Sequence, residues 1–368
     1  MDARIDHPPE VDPWLERLIT SALPGGRVVS VTPLGADVAP GGSSTKGAGY
    51  GAPLRIDVAL AGAHRSVVLH TATANGFGHD RRADRAAEAV LAADTFHTIP
   101  RHVRVLDVGA YRLDGGLVSL RGTGEFYVLS EWAEGELFAE RLRRIVRAGT
   151  AGAEDVAAVE RLASYLADLH AERPSTALAQ SRARRDLLGS GEGIFGIVDS
   201  YPAGSSEGTP ERLRRIEELC HAWRWKLKET PRPLVRTHGD FHPFNVLLDR
   251  TGEVRVLDTS RGSMGDAADD VTCMALNFPF FALERPETWE RALAALWYGF
   301  WSRYLERSGD IGVLDVAAPF LAWRGLVLAS PVWYPTLADD SRRRLLDFVE
   351  TTLKGERFRP ESIEELFR

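Results

Sequence analysis

THGDFHPFNVLLDRTGEVRVLDTSRGSMGDAADDV, residues Thr237 to Val271, is the stretch that decides the fold. Its centre is His238-Gly239-Asp240-Phe241-His242-Pro243-Phe244-Asn245, followed by two strand-like runs, Val246 to Leu248 and Val254 to Leu257. Asp249-Arg250-Thr251-Gly252 between the runs carries turn residues, so the segment reads as a hairpin. Such a hairpin returns Asp258 beside Asp240 and Asn245, and three oxygen-bearing side chains converge. Carboxylate and amide oxygens in that grouping suit a hard cation, and Mg²⁺ takes one or two carboxylates together with phosphate oxygens.

The stretch resembles the catalytic segment of the aminoglycoside phosphotransferase and choline kinase-like family, relatives of the protein kinases. The motif H-G-D-x-H-x-x-N stands as His238 to Asn245, and Leu257-Asp258 is followed by Gly265-Asp266-Ala267-Ala268-Asp269-Asp270-Val271. The resemblance implies a role for each of these residues. Asp240 is the catalytic base or orienting carboxylate, and Asn245 and Asp258 hold Mg²⁺. His238 and His242 brace the loop by hydrogen bonds, and Asp266 and Asp270 anchor the loop after the metal site. His170 reads as a packing or hydrogen-bonding residue.

The chain has 368 residues, long enough for two lobes. Hydrophobic content of 44% and charged content of 26% are ordinary for a globular protein, and a net charge of −7 supplies no basic field for nucleic acid. Cys220 and Cys273 make neither a disulfide framework nor a metal-ligand spacing and are expected to be buried thiols in a reducing compartment. Residues 1–14 show no apolar signal core, and the longest apolar run, near Val271 to Leu283, is interrupted by Asn277 and Pro279. The expectation is a cytoplasmic protein with no membrane span.

Taken in order, the chain predicts a helix opening at Asp12-Pro13, then strands at Arg27 to Leu34, Leu54 to Leu60 and Ser66 to Thr71. A helix is expected over Asp80 to Phe96, and strands over Val103 to Val108 and Phe126 to Ser130 complete a five-strand plan. Beyond residue 133 helical spacing dominates, in Leu137 to Val146, Val156 to His170, Pro210 to Lys228, Glu287 to Leu305 and Ser341 to Leu353. Gly189 to Tyr201 reads as a loop. The expected fold is α+β and protein kinase-like. Residues 11–132 form a nucleotide-binding small lobe with a five-stranded antiparallel sheet and one helix. Residues 133–368 form a larger, mainly helical lobe with the catalytic loop, metal site and acceptor-binding helices.

In kinase-like sites a third-strand Lys pairs with a helix Glu and holds the nucleotide phosphates. Here His70 occupies the Lys position and Glu88 the Glu position. The chain has four lysines, Lys46, Lys226, Lys228 and Lys354, and Lys46 lies in the Gly-rich connection between the first two strands. Lys46 is either the relocated cation or a solvated loop residue. Glu131 to Ala133 marks the junction where the family binds adenine through backbone groups. The resemblance thus implies a phosphotransferase moving the γ-phosphoryl group of ATP or GTP to a hydroxyl of a small molecule such as an aminoglycoside, sugar or amino alcohol. The missing strand Lys keeps two alternatives open, a nucleotide-binding pseudokinase and an AMP transferase. Trp289, Trp297, Trp301, Trp323, Trp333 and Tyr334 are candidates to stack on an acceptor, and Glu284, Asp339 and Asp340 to meet its amines.

Overall fold

The computed structural model describes residues 13–34, 53–75, 78–114, 116–173, 177–260 and 263–367. The chain divides into two compact units, Met1–Leu129 and Ser130–Arg368. Lys46 and the Gly-rich connection around it lie outside the described residues.

In the first unit α1 (Pro13–Ala22) starts on Pro13, whose fixed φ and missing N–H suit a first helical turn. It packs on an antiparallel sheet of β1 (Arg27–Pro33), β2 (Leu54–Leu60) and β3 (Ala63–Leu69), in which β2 is central. The small core is Leu15, Ile19 and Leu23 from the helix against Ile56 and Val58, alternate residues of β2. A 14-residue helix, α2 (Arg82–Thr95), comes next.

The five-strand expectation is corrected. Residues 103–108 and 126–130 form no strand, and the remaining strands of this unit are β4 (Gly109–Tyr111) and β5 (Leu117–Ser119), paired only with each other. Apolar, β-branched runs favour an extended backbone, but a ladder exists only where a partner strand offers its own N–H and C=O groups. The short β4–β5 hairpin closes locally, with Arg112 N–H bonded to Gly116 O at 2.8 Å, while Phe126 to Leu129 stay exposed.

The second unit begins with β6 (Glu136–Leu137) and α3 (Phe138–Ala148), then α4 (Ala153–Leu169), α5 (Ala177–Gly189) and α6 (Ile194–Asp199). The loop expected over 189–201 therefore contains a helix. Gly193 precedes it, and Ile194 and Ile197 bury one short face, a pattern too brief to show as periodicity. After α7 (Pro210–Glu229) come β7 (Val235–Arg236), β8 (Val246–Leu248), β9 (Val254–Val256) and β10 (Met264–Gly265). β6–β8–β9 form one small sheet and β7–β10 another. The chain ends in α8 (Ala267–Ala275), α9 (Asn277–Ala282), a π-helical turn Trp289–Leu293 running into α10 (Ala294–Ser308), α11 (Val313–Ala329) and α12 (Asp339–Lys354). Among the described residues no helix is long and apolar enough to cross a membrane.

Trp289, Trp297 and Trp301 are fully buried within this helical core, which removes them as acceptor-stacking candidates. Both thiols are buried, and burial pushes the Cys220 pKa up to about 12. α11 is enclosed on nearly every side, and Gly325 lets α12 approach it: a Cβ built there meets Val349 Cγ2 at 2.4 Å. Gly325→Val is accordingly expected to cost about 1–3 kcal/mol by overpacking. Gly325→Ala should cost less, because better helix propensity offsets about 1 kcal/mol. Urea unfolding of the two variants against the wild type measures both.

Candidate functional site

The β8–β9 hairpin forms as its turn chemistry dictates. Asp249 Oδ1 accepts from the N–H groups of Thr251 and Glu253 at 2.9 and 3.0 Å and from the Thr251 hydroxyl at 2.6 Å. The Thr251 hydroxyl first, and then these backbone donors, hold the exposed Asp249 carboxyl down to about 2. Leu257 N–H closes on Asn245 O at 2.8 Å, which brings the residue after it back to the loop. Asp258 adopts φ 44°, a left-handed conformation that Asp tolerates better than most residues.

Asn245, 7% exposed, joins the pieces. Its Nδ2 donates to Asp240 O and Oδ2, both at 3.1 Å, and lies 3.4 Å from Asp258 O. Three oxygens around one amide atom assign it as the nitrogen, so Oδ1 is the atom Asn245 offers elsewhere. The Asp258 carboxylate makes no hydrogen bond to the described residues and is exposed. An amide oxygen and a carboxylate with no thiolate or imidazole between them fit a hard cation. Among the described residues no group of three His, Cys, Asp or Glu side chains forms a cage, so a cation here draws the rest of its shell from water or phosphate oxygens.

The two histidines act on the loop rather than on a metal. His238 Nε2 bonds Leu257 O at 2.7 Å while its Nδ1 accepts from Asp240 N–H at 3.3 Å, which fixes a neutral tautomer. His242 Nδ1 accepts from Phe244 N–H at 3.2 Å, so its protonated Nε2 faces Asp240 Oδ2 at 3.3 Å. Beneath the loop Phe241 is fully buried and stacks on Tyr165, ring centroids 5.8 Å apart.

Asp270 on α8, fully buried, holds the loop backbone. Its Oδ2 accepts from His238 N–H at 2.7 Å and its Oδ1 from Gly239 N–H at 2.8 Å. Gly239 sits at φ 84°, a left-handed conformation that turns its N–H and that of His238 onto one carboxylate. His170 Nε2 is a third partner, at 3.2 Å, and His170 Nδ1 meets the Tyr304 hydroxyl at 2.8 Å. Burial drives the Tyr304 pKa far up, with Asp310 and Asp266 adding to it, so the hydroxyl keeps its proton and donates to His170. Asp266 caps α8 through Ala268 N–H at 3.0 Å. Burial raises its pKa, and Arg232, 3.6 Å away, pulls it back.

A further set is not foreseen from the motif. Asp240 Oδ1 faces Cys273 Sγ of α8 at 3.8 Å and Arg324 Nη1 of α11 at 3.9 Å. Tyr334 lies in the same field. Burial raises its pKa first; Arg324 and Arg143 pull it down, and Cys273 and Asp240 push it up. Arg342 of α12 staples the connection that carries Tyr334, donating to Ala329 O at 2.8 Å and also to Tyr334 O. None of these belongs to a local motif. The one sequence signal is a lone Arg324 inside an otherwise apolar helix.

In the first unit His70 directly follows β3 and is exposed. Glu88 does not pair with it: Glu88 Oε2 is 3.2 Å from His79 Nε2, and His79 Nδ1 is 3.2 Å from Asn75 Oδ1. The partner comes from just before α2, a separation of nine residues that motif spacing does not encode. Glu131 and Ala133 lie in the extended segment ahead of β6, where Trp132 Nε1 donates to Glu134 Oε1 at 2.9 Å.

Residues 62–305 match the sequence profile of the phosphotransferase enzyme family, APH. The chain belongs to that family, and its α+β, kinase-like architecture goes with it. Among solved structures it is similar to a glucosamine kinase, 22% identical over 59% of each chain with a TM-score of 0.42. It is similar too to an ethanolamine kinase of Plasmodium vivax, 11% identical over 83% of this chain and 79% of that one, TM-score 0.36. A third is the aminoglycoside phosphotransferase APH(3'')-Id of Streptomyces rimosus in complex with ADP and streptomycin, 18% identical over 56% and 65% of the chains, TM-score 0.28. The first of these alignments spans less than two thirds of the glucosamine kinase. No curated protein matches the chain in sequence.

Removing the Asp270 carboxylate leaves two buried backbone N–H groups without acceptors. Asp270→Ala is expected to lower stability by roughly 3–5 kcal/mol. Asp270→Asn, with one acceptor oxygen instead of two, should lose about half of that. Chemical denaturation monitored by tryptophan fluorescence reads the difference.

Proposed function

We propose that this chain is a phosphotransferase that moves the γ-phosphoryl group of ATP or GTP to a hydroxyl of a small molecule. The observation that carries the reading is Asn245 binding the Asp240 side chain and the Asp258 backbone at once. One short hairpin thereby holds a candidate base beside two candidate cation ligands.

Asp240 orients the acceptor hydroxyl and takes its proton. Oδ2 already receives Asn245 and His242, so the proton goes to Oδ1. The acceptor oxygen forms a bond to the γ-phosphorus as the bond from that phosphorus to the bridging oxygen breaks, and a nucleoside diphosphate leaves. Mg²⁺, held by Asn245 and Asp258, would neutralise phosphate charge. His238, Asp266 and Asp270 keep the loop in place. Catalysis on this reading is positioning and electrostatics, with little reorganisation during transfer.

On the nucleotide side, Glu131 and Ala133 offer backbone groups to the base, and His70, Glu88 and Lys46 arrange the phosphates. The His79–Glu88 contact adds His79 to that set. It also favours a second reading: a chain whose helix glutamate is engaged without a strand Lys could bind nucleotide without turning it over, as a regulatory protein. A third, transfer of AMP, rests on the same altered phosphate grip. The setting in each case is the cytoplasm, where ATP and Mg²⁺ are plentiful.

Incubation with Mg²⁺, ATP or GTP, and a panel of sugars, amino alcohols and aminoglycosides separates the three. ADP or GDP release marks a kinase, pyrophosphate release marks AMP transfer, and binding without turnover marks the regulatory protein. Asp240→Asn should lower kcat by about 10²–10⁴ with nucleotide affinity retained. Turnover by that variant at the wild-type rate removes Asp240 from the mechanism. Lys46→Ala, His70→Ala and His79→Ala compared by nucleotide KM identify the phosphate ligand; whichever raises it about tenfold or more supplies the charge.

A further inference from the structure

The two oxygens of Asp240 have different surroundings. Oδ2 is met by Asn245 and His242 at 3.1 and 3.3 Å, whereas Oδ1 faces Cys273 Sγ at 3.8 Å and Arg324 Nη1 at 3.9 Å. The Arg324 separation is an ion-pair distance, too long for a hydrogen bond. An oxygen placed about 2.8 Å from both atoms can donate to Oδ1 and accept from Nη1 together. Arg324 therefore stands where the acceptor hydroxyl must come, and α11 fixes it there with 5% of its surface exposed.

The charge around that point is not suited to a polyamine. Arg143 and Arg324 both act on the Tyr334 hydroxyl beside Asp240. The acidic candidates for amine recognition are committed or remote. Asp340 pairs with Arg343 and, at 2.7 Å, with Arg344; Asp339 lies 3.8 Å from Arg342. Glu284 is exposed beyond the end of α9. A guanidinium's planar fork of donors matches a carboxylate or phosphate, and a buried one repels an ammonium brought close to it.

We propose that Arg324 is an acceptor-binding residue and that the acceptors are hydroxyl compounds carrying an anionic group, a carboxylate or a phosphate, next to the hydroxyl. Polycationic aminoglycosides are excluded by the same charge. This inference rests on the phosphotransferase reading, with Asp240 as the residue that meets the acceptor. Arg324 contacts the anionic group and the hydroxyl oxygen, so it acts on acceptor affinity more than on nucleotide affinity.

The test measures nucleoside diphosphate release by the full chain with Mg²⁺ and ATP or GTP. Four probes are used: glycerate, glycerol 3-phosphate, glycerol and kanamycin. Glycerate or glycerol 3-phosphate, according to which anion the site takes, should stimulate release above the acceptor-free rate, and kanamycin should not. Arg324→Gln should raise the ratio of acceptor KM to nucleotide KM about tenfold, and Arg324→Lys should restore part of it. A structural role alone would lower the melting temperature and kcat and leave that ratio unmoved, which overturns the proposal. Stimulation by kanamycin, or by neither anionic probe, overturns it too, independently of how the variants fold. Acceptor-free hydrolysis separates the two levels of failure. If it persists while the anionic probes do nothing, the substrate class is wrong and phosphotransfer stands; if the chain neither binds nor hydrolyses nucleotide, both fall.

Discussion

One buried carboxylate accepts two consecutive backbone N–H groups, and the geometry of the site depends on it. Asp270 takes His238 and Gly239 at 2.7 and 2.8 Å, and a neutral His170 supplies its third donor. A carboxylate at 0% exposure is costly unless its lone pairs are filled, and here the groups that fill it are the backbone of the loop that carries Asp240. The α8 helix cannot shift or lose this acidic residue without leaving the loop's amides unbonded. Stability and the placement of Asp240 are therefore one problem, solved by one side chain.

From that anchor the site divides into two electrostatic halves. The Oδ2 side of Asp240 belongs to the hairpin, through Asn245, His242 and the turn into Asp258. The Oδ1 side belongs to the helices, through Cys273 of α8 and Arg324 of α11. The first half offers oxygen atoms and suits cations with their phosphates. The second brings a fixed positive charge against the base. A carboxylate between an oxygen-rich side and a guanidinium has its orientation set from both directions, and neither neighbour needs to move for a hydroxyl to reach it.

Local chemistry makes the hairpin legible. Asp249, Thr251 and Gly252 specify a turn whatever surrounds them, and a turn between two apolar runs fixes which residues return together. The early strands are legible where partners lie close in sequence, as in β1, β2 and β3. The segments 103–108 and 126–130 have strand-like composition and form no strand, because strand propensity is local and pairing is not. Helix α11 shows little periodicity because it is buried on all sides, and α6 is too short to show any.

The sequence by itself determined the family, the catalytic loop and the identity of the oxygen-bearing residues, because these lie within 35 residues whose order and turn chemistry are self-contained. Tertiary structure alone decided the rest. It turned Trp289, Trp297 and Trp301 into core, gave Glu88 to His79 rather than His70, and set Arg324 beside Asp240 from 84 residues further along the chain. Packing of α11 against α8 and α12 creates that last contact. No local pattern encodes it, since a single arginine in a buried helix looks the same in sequence wherever its guanidinium ends up.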